Sequence, residues 1–166
     1  MRRWNHLNVA VPPERIPLVT ACIDAVFGWE KFVDKPYLVG YRLTDDLHEA
    51  ALYLRPVPAA GVVVEALARH RADDPALDAA LGELDRIEGD WADHVGFMVP
   101  TVEEWERRLA AAERMQAERP ELGVRVVEVY RPGDGRAPTD YLHQAFIRLG
   151  VLGPFRNTFE MQARRA

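Results

Sequence analysis

A short apolar segment that begins near a histidine and ends at a proline occurs twice in this chain. The two copies are residues 5–12 and 93–100. When His6 is aligned with His94, the apolar residues of the copies coincide and both copies end at a proline. Each copy is typical of a buried β-strand, and their separation by about half of the chain indicates a duplicated module. We expect both histidines to face a shared interior.

The predicted elements that follow each histidine strand occur in the same order. A helix is predicted at residues 14–27, where Gly28 ends it, and another at residues 101–119, where Thr101 begins a capping box that Glu104 completes. Three further strands are predicted in each module, at residues 29–33, 37–43 and 50–57 and at residues 124–130, 142–149 and 157–163. The chain is therefore expected to be α+β, with two βαβββ modules whose mixed sheets curl to form a cleft.

A helical stretch separates the two modules. Residues 62–72 and 76–87 both have amphipathic helical spacing, with Asp74 as an N-cap and Pro75 as a first-turn proline between them. The predicted organisation is a first module at residues 1–60, a helical insertion at 61–90 and a second module at 91–166. We expect the insertion to cover a sheet edge or a partner subunit, with its acidic residues in solvent.

Composition argues against several classes of function. The net charge is −5, and the basic residues are interspersed with carboxylates, so a nucleic-acid interface is not expected. The single cysteine, Cys22, excludes an intramolecular disulfide framework and is expected to be a buried, unreactive thiol. No apolar run reaches the roughly 18 residues that span a bilayer, and no signal-peptide segment begins the chain. A cytoplasmic location without membrane contact is the default expectation.

Three side chains are candidates for chemistry: His6, His94 and Glu160. One histidine at a strand start is more often structural than metal-binding, but two at equivalent positions of a repeat favour a shared role. Glu160 lies between Phe159 and Met161, and a carboxylate on a buried strand face is costly unless it is paired or coordinated. Two imidazoles and one carboxylate form the ligand set of non-haem iron oxygenases and of other divalent-metal sites.

Two further segments carry a resemblance to a known family. The first is Val-Phe-Gly-Trp-Glu at residues 26–30, where the first predicted helix ends. The second, Gly-Pro-Phe-Arg-Asn-Thr-Phe-Glu at residues 153–160, is similar to the Asp-Pro-x-Gly-Asn-x-x-Glu turn and ligand strand of that family, with Gly153 and Arg156 as departures. With these markers the chain resembles the vicinal oxygen chelate superfamily. It contains glyoxalase I, extradiol catechol dioxygenases, methylmalonyl-CoA epimerases, fosfomycin-resistance thiol transferases and bleomycin-resistance proteins.

The resemblance implies that His6, His94 and Glu160 bind one divalent metal ion, either Fe, Mn, Zn, Ni or Co. Glyoxalase I and the epimerases take a fourth ligand from the last strand of the first module. Here the middle of that strand, residues 50–55, contains no Glu, Gln or His, and Glu49 lies at its start. A three-ligand site, similar to that of the dioxygenases and the fosfomycin-type transferases, is therefore expected.

Comparison with the dioxygenases also singles out His143 as a catalytic acid or base. It precedes Glu160 at a compatible spacing, although Gly150 stands where the resemblance places the catalytic tyrosine. Tyr141 or Tyr130 would then substitute for that tyrosine. The alternative for His143 is an exposed histidine that leads into a strand.

The sequence leaves three functions open. The first is a metal-dependent enzyme, a dioxygenase, lyase or isomerase, whose small substrate chelates the metal; Arg148 and Arg156 would contact substrate anions or lie at the surface. The second is a bleomycin-resistance-type protein that sequesters a small molecule without catalysis. Such proteins generally lack the metal residues, so retention of all three positions favours the enzyme. The third is an assembly protein whose inserted helices form an interface. A symmetric homodimer is expected.

Overall fold

The computed structural model describes residues 6–43, 50–87, 92–152 and 158–165. They divide into two compact units, Met1–Pro75 and Ala76–Ala166, which are called the first and the second unit. Each unit contains one four-stranded sheet. Within the described ranges, no helix has both the length and the apolar character needed to cross a bilayer.

The first unit is built on a mixed sheet. Its elements are β1 (His6–Val11), α1 (Ile16–Val26), β2 (Lys31–Lys35), β3 (Leu38–Arg42), β4 (Ala51–Pro56) and α2 (Pro58–Asp73). The strand order is β1-β4-β3-β2, with β1 parallel to β4 and the other pairs antiparallel. Helix α1 buries Val19, Cys22, Ile23 and Val26, because their spacing of three and four residues places them on one face. Gly28, at φ 56°, ends the helix as predicted, since its amide donates back to the Ile23 carbonyl.

The second unit repeats this plan. Its elements are α3 (Pro75–Arg86, which begins at the boundary), β5 (His94–Met98), α4 (Val102–Glu118), β6 (Val124–Tyr130), β7 (Leu142–Leu149) and β8 (Thr158–Arg164). The strand order is β5-β8-β7-β6, with β5 parallel to β8 and the other pairs antiparallel. Order and direction match those of the first sheet, so the predicted α+β fold with two βαβββ motifs is confirmed.

The two helices predicted between the modules are both present, with different boundaries. Helix α2 begins earlier than predicted, at Pro58, because the fixed φ of proline suits the first helical position. Asp74 is extended and separates α2 from α3. Helix α2 lies in the first unit and all of α3 beyond Pro75 in the second, and no residue of α2, which is described throughout, is buried. A separate insertion at residues 61–90 stays a prediction.

Helix α4 covers one face of the second sheet. Thr101 caps it as predicted, because its hydroxyl oxygen accepts a hydrogen bond from the Glu104 amide at 3.1 Å. The Glu104 carboxylate pairs with Arg108 at 2.7 Å, in place of the return bond of a capping box. Trp105 is fully buried, and its indole N–H donates to the Met161 carbonyl of β8 at 2.9 Å. The helix is thus fixed to the strand that carries Glu160.

Side chains of β7 and β8 alternate between α4 and the opposite face of the sheet. The His143 ring contacts Trp105 of α4 with ring centroids 5.2 Å apart, so His143 and its strand partner Ala163 face the helix. Gln144 and its partner Gln162 therefore face away from α4, and Glu160 lies on the same side as Gln162. We call this side of the second sheet the Glu160 face.

Candidate functional site

Glu160 is a buried carboxylate in the middle of β8. Only 6% of the residue is exposed, and burial of an acidic group is costly unless its oxygens have partners. The amides of Gln144 and Gln162 both donate to Oε1, at 2.6 and 2.5 Å. One carboxylate oxygen is thus bound by two neutral donors, and the other, Oε2, is directed toward β5.

His94 is the first residue of β5, and its Nε2 lies 3.4 Å from Oε2 of Glu160. Its Nδ1 lies 2.9 Å from the carbonyl oxygen of Ala92. A carbonyl can only accept, so Nδ1 carries the hydrogen in that bond. In neutral His94 the lone pair of Nε2 therefore faces the Glu160 carboxylate. A proton or a metal cation between the two acceptors would relieve this repulsion.

Such a backbone bond to Nδ1 is how proteins orient a metal-binding histidine and fix which nitrogen is free. The side chain of His94 is 28% exposed, whereas that of Glu160 is 8% exposed, so an ion can approach from the histidine side. The Phe146 ring of β7 meets the His94 ring edge-on, with centroids 5.3 Å apart and an interplanar angle of 89°. The nitrogen and oxygen donors present fit a divalent metal ion.

Gly96 is essential to the space around this carboxylate. It pairs with Glu160 across β5 and β8, and a Cβ atom added at Gly96 would lie 3.1 Å from Oε2. A side chain here would push Oε2 away from its present position. A glycine inside an apolar strand is a sequence signal that another group approaches the backbone closely there.

Two other polar residues of the Glu160 face, Gln144 and Arg148, are buried. Gln144 was not predicted as a site residue, and Arg148 was predicted either to contact a substrate anion or to lie at the surface. Gln144 is 5% exposed and Arg148 is 6% exposed, so the alternative of a surface arginine at position 148 is wrong. The Arg148 guanidinium donates to the Thr158 hydroxyl at 3.3 Å and to the Ile87 carbonyl at 3.2 Å. The available signal was on the last strand, where Thr158, Glu160 and Gln162 alternate with apolar residues and so predict a polar face.

The structure does not bring His143 and Tyr141 together with His94 and Glu160. His143 lies on the helix side of β7, and burial lowers its pKa. Tyr141 is 62% exposed. Tyr130, the other tyrosine considered, is buried and lies on the Glu160 face, because it pairs with Gln144.

His6 lies in the first unit, at the start of β1, and its ring contacts that of Tyr53 with centroids 5.6 Å apart. Tyr53 pairs with Asn8, two residues beyond His6, just as Glu160 pairs with Gly96, two residues beyond His94. Tyr53 therefore takes the β4 position that corresponds to Glu160 on β8. The sequence alternative for a fourth ligand, Glu49, lies outside the described residues, as does the predicted turn at residues 153–157.

In the part of the chain that the structure describes, no group of three or more His, Cys, Asp or Glu side chains is arranged to hold a metal ion. The second unit supplies a pair, His94 and Glu160. Participation of His6 as a third ligand stays a prediction.

Solved structures similar to this chain share its fold across nearly the whole length. A protein from the mobile metagenome of V. Pseudocholerae has a TM-score of 0.52 at 13% identity, with 100% of this chain and 97% of that chain covered. Lactoylglutathione lyase from Agrobacterium tumefaciens has a TM-score of 0.50 at 14% identity, with 98% and 94% covered. An integron cassette protein from the mobile metagenome of V. Cholerae has a TM-score of 0.50 at 14% identity, with 98% and 95% covered.

No protein-family model matches the chain, and no curated protein matches its sequence. The TM-scores show that the fold is shared, whereas sequence identities of 13–14% leave the reaction open.

Proposed function

We propose that this chain, which has the vicinal oxygen chelate fold, is a metal-dependent enzyme that acts on a small oxygen-bearing substrate. The proposed metal ligands are His6, His94 and Glu160, and the ion is Fe, Mn, Zn, Ni or Co. The reaction is that of a dioxygenase, lyase or isomerase. One observation carries the proposal: His94 Nε2 lies 3.4 Å from Glu160 Oε2, and the bond from Nδ1 to the Ala92 carbonyl holds the imidazole with Nε2 toward the carboxylate.

The residues of the Glu160 face support a role beyond packing. A carboxylate this buried would be replaced by an apolar residue if the strand needed only a core, since burial of acidic groups without compensation lowers stability. Instead, Gln144 and Gln162 hold one oxygen, Gly96 leaves space beside the other, and His94 faces it. Deviations from core rules cluster at functional sites.

When bound, a divalent ion supplies Lewis-acid polarisation of the substrate oxygens. The chain itself would orient the imidazole through Ala92, hold the carboxylate through its two amide donors, and limit water through the Phe146 ring. These contributions are compatible with any of the three reaction types.

The alternative is a protein of the bleomycin-resistance type that sequesters a small molecule without catalysis. The observation that favours it is Tyr53. This residue occupies the position on β4 that corresponds to Glu160 on β8, where a fourth metal ligand would be expected. Under this alternative, ligand binding would be independent of metal. A homodimer is proposed under both.

Metal analysis of protein purified without a histidine tag tests the proposal. Close to one equivalent of a divalent metal is expected, with a large loss in folded Glu160→Ala and His94→Ala variants. His70→Ala, on the exposed side of α2, is the matched control. Metal-free wild-type protein that binds small molecules as well as its variants do would favour sequestration. Oxygen uptake with a catechol panel after Fe(II) loading then separates a dioxygenase from a lyase or isomerase.

A further inference from the structure

We propose that Gln144 and Gln162 are positioning residues that make Glu160 a ligand through a single oxygen. This inference rests on the proposed function, because it assigns a role to the surroundings of the proposed metal ligand. Neither glutamine contacts the ion in the proposal; both act through Glu160.

The geometry divides the two carboxylate oxygens. Gln144 on β7 and Gln162 on β8 are paired neighbours, and both amide nitrogens donate to Oε1 of Glu160, at 2.6 and 2.5 Å. Oε2 is the atom that lies 3.4 Å from His94 Nε2. Rotation of the carboxylate to present both oxygens to an ion would break two hydrogen bonds inside a buried environment, where lost bonds are costly. The amides therefore select Oε2 as the ligand atom.

Gln144 is a poor choice for stability alone. The residue is 5% exposed, and within the described residues its own Oε1 is buried without a hydrogen-bond partner. A buried acceptor without a partner costs about 1–3 kcal/mol, and methionine at this position would remove that cost while also removing one hydrogen bond to Glu160. The change in stability therefore has two opposing contributions, and metal affinity is the property that separates the roles. A purely structural role predicts that a folded methionine variant keeps its metal affinity, whereas a positioning role predicts that the affinity falls.

Cobalt binding distinguishes these roles. Co(II) is titrated into metal-free wild type, Gln144→Met, Gln162→Met and the control Gln116→Met, with calorimetry for affinity and the visible cobalt spectrum for coordination. Gln116 lies on α4 and accepts a hydrogen bond from the Val126 amide at 2.7 Å, so its replacement removes a glutamine contact on the helix side of the sheet, opposite the Glu160 face. Thermal unfolding of each metal-free variant reports its stability.

We expect the dissociation constant to rise about 10–100-fold in Gln144→Met and Gln162→Met, which is typical of lost outer-shell partners. Their cobalt spectra should also change, because Glu160 becomes free to bind through both oxygens. Gln116→Met should match the wild type in both measurements. Gln162 is half-exposed, so its variant decides the question if Gln144→Met does not fold.

Unchanged affinity and spectra in both variants, with wild type binding cobalt, would overturn this inference alone. Equal losses in Gln116→Met would overturn it too, because the effect would then be a general loss of stability. Wild-type protein that binds no cobalt would overturn the proposed function, and this inference with it.

Discussion

His94 and Glu160 lie on parallel neighbouring strands, with Nε2 of one 3.4 Å from Oε2 of the other. The register pairs His94 with Thr158 and Gly96 with Glu160. The side chains of His94 and Glu160 are therefore diagonal neighbours, and Gly96, which lies directly opposite Glu160, has no side chain to separate them. The bond from Nδ1 to Ala92 and the two bonds to Oε1 leave Nε2 of His94 and Oε2 of Glu160 facing each other.

Glu160→Gln tests the charge of this pair, because it keeps the shape of the side chain. Metal affinity should fall by more than the roughly 100-fold that marks loss of an outer-shell group, since a direct ligand is removed. The metal-free variant should be at least as stable as the wild type, because a buried acidic group has been replaced by a neutral one. Metal analysis and thermal unfolding check both statements. A full equivalent of metal in the folded variant would show that Glu160 is not a ligand.

His6→Ala tests the contribution of the first unit. If His6 is the third ligand, this variant should lose metal to an extent similar to His94→Ala. His70→Ala removes an exposed histidine of α2 in the same unit and should retain metal. The metal content per protein chain, measured for all three variants after the same purification, shows whether His6 is a ligand. Retention by His6→Ala together with loss by His94→Ala would restrict the site to the second unit.

Gly96→Ala tests the space beside the carboxylate. The added Cβ would lie 3.1 Å from Oε2, a distance at which the carboxylate must shift. Metal affinity should fall while the strand itself is retained. Gly82→Ala on α3 is the control, since its added Cβ meets no atom closer than 3.6 Å. That variant should gain up to about 1 kcal/mol of stability from better helix propensity and should bind metal normally. Equal affinity for both variants would contradict the predicted role of Gly96.

His143 predicts a dependence of stability on pH. Burial against α4 lowers its pKa below the ordinary 6.5; Glu106 opposes this shift, and Arg131 and Arg165 add to it. The folded state therefore binds fewer protons at His143 than the unfolded state does, and the free energy of unfolding falls as pH drops below about 6.5. His143→Gln should flatten this part of the profile, measured by chemical denaturation from pH 7.5 to about 5. Identical profiles for the two proteins would rule the assignment out.

Thr101→Ala tests the N-cap of α4. Loss of the bond between the Thr101 hydroxyl and the Glu104 amide should lower the free energy of unfolding by about 1 kcal/mol, with a range of ~0.5–2. Thr101→Ser retains the accepting oxygen and should restore most of the difference. Urea denaturation of the metal-free proteins measures both. An alanine variant as stable as the wild type would mean that solvent replaces the cap at no cost.

Much of the fold could be predicted because strands and helices differ in local periodicity. The apolar runs that open each module became β1 and β5, and the spacing of Val19, Ile23 and Val26 became the buried face of α1. The duplication predicted from the repeat agrees with the structure, where His6 and His94 each begin a strand that pairs parallel with the last strand of its motif. These features depend on residues close together in sequence or on a duplicated pattern.

The surroundings of Glu160 could not be predicted in the same way. His143 and Gln144 are adjacent in sequence and were both on a predicted strand, yet only Gln144 reaches Glu160. Which of the two faces α4 depends on strand register, and a shift of one residue would exchange them. The resemblance to the dioxygenases points to His143 through its spacing from Glu160, but the structure puts that side chain against Trp105.

The sequence by itself determined the two βαβββ motifs and the positions of His94 and Glu160 at defined places on two strands. Only the tertiary structure decided that Gly96, Gln144 and Gln162 surround the carboxylate. Periodicity along one strand fixes which side chains share a face, whereas pairing between strands distant in sequence fixes which of them touch. That pairing is set by packing of the whole sheet against α4, which no local pattern contains.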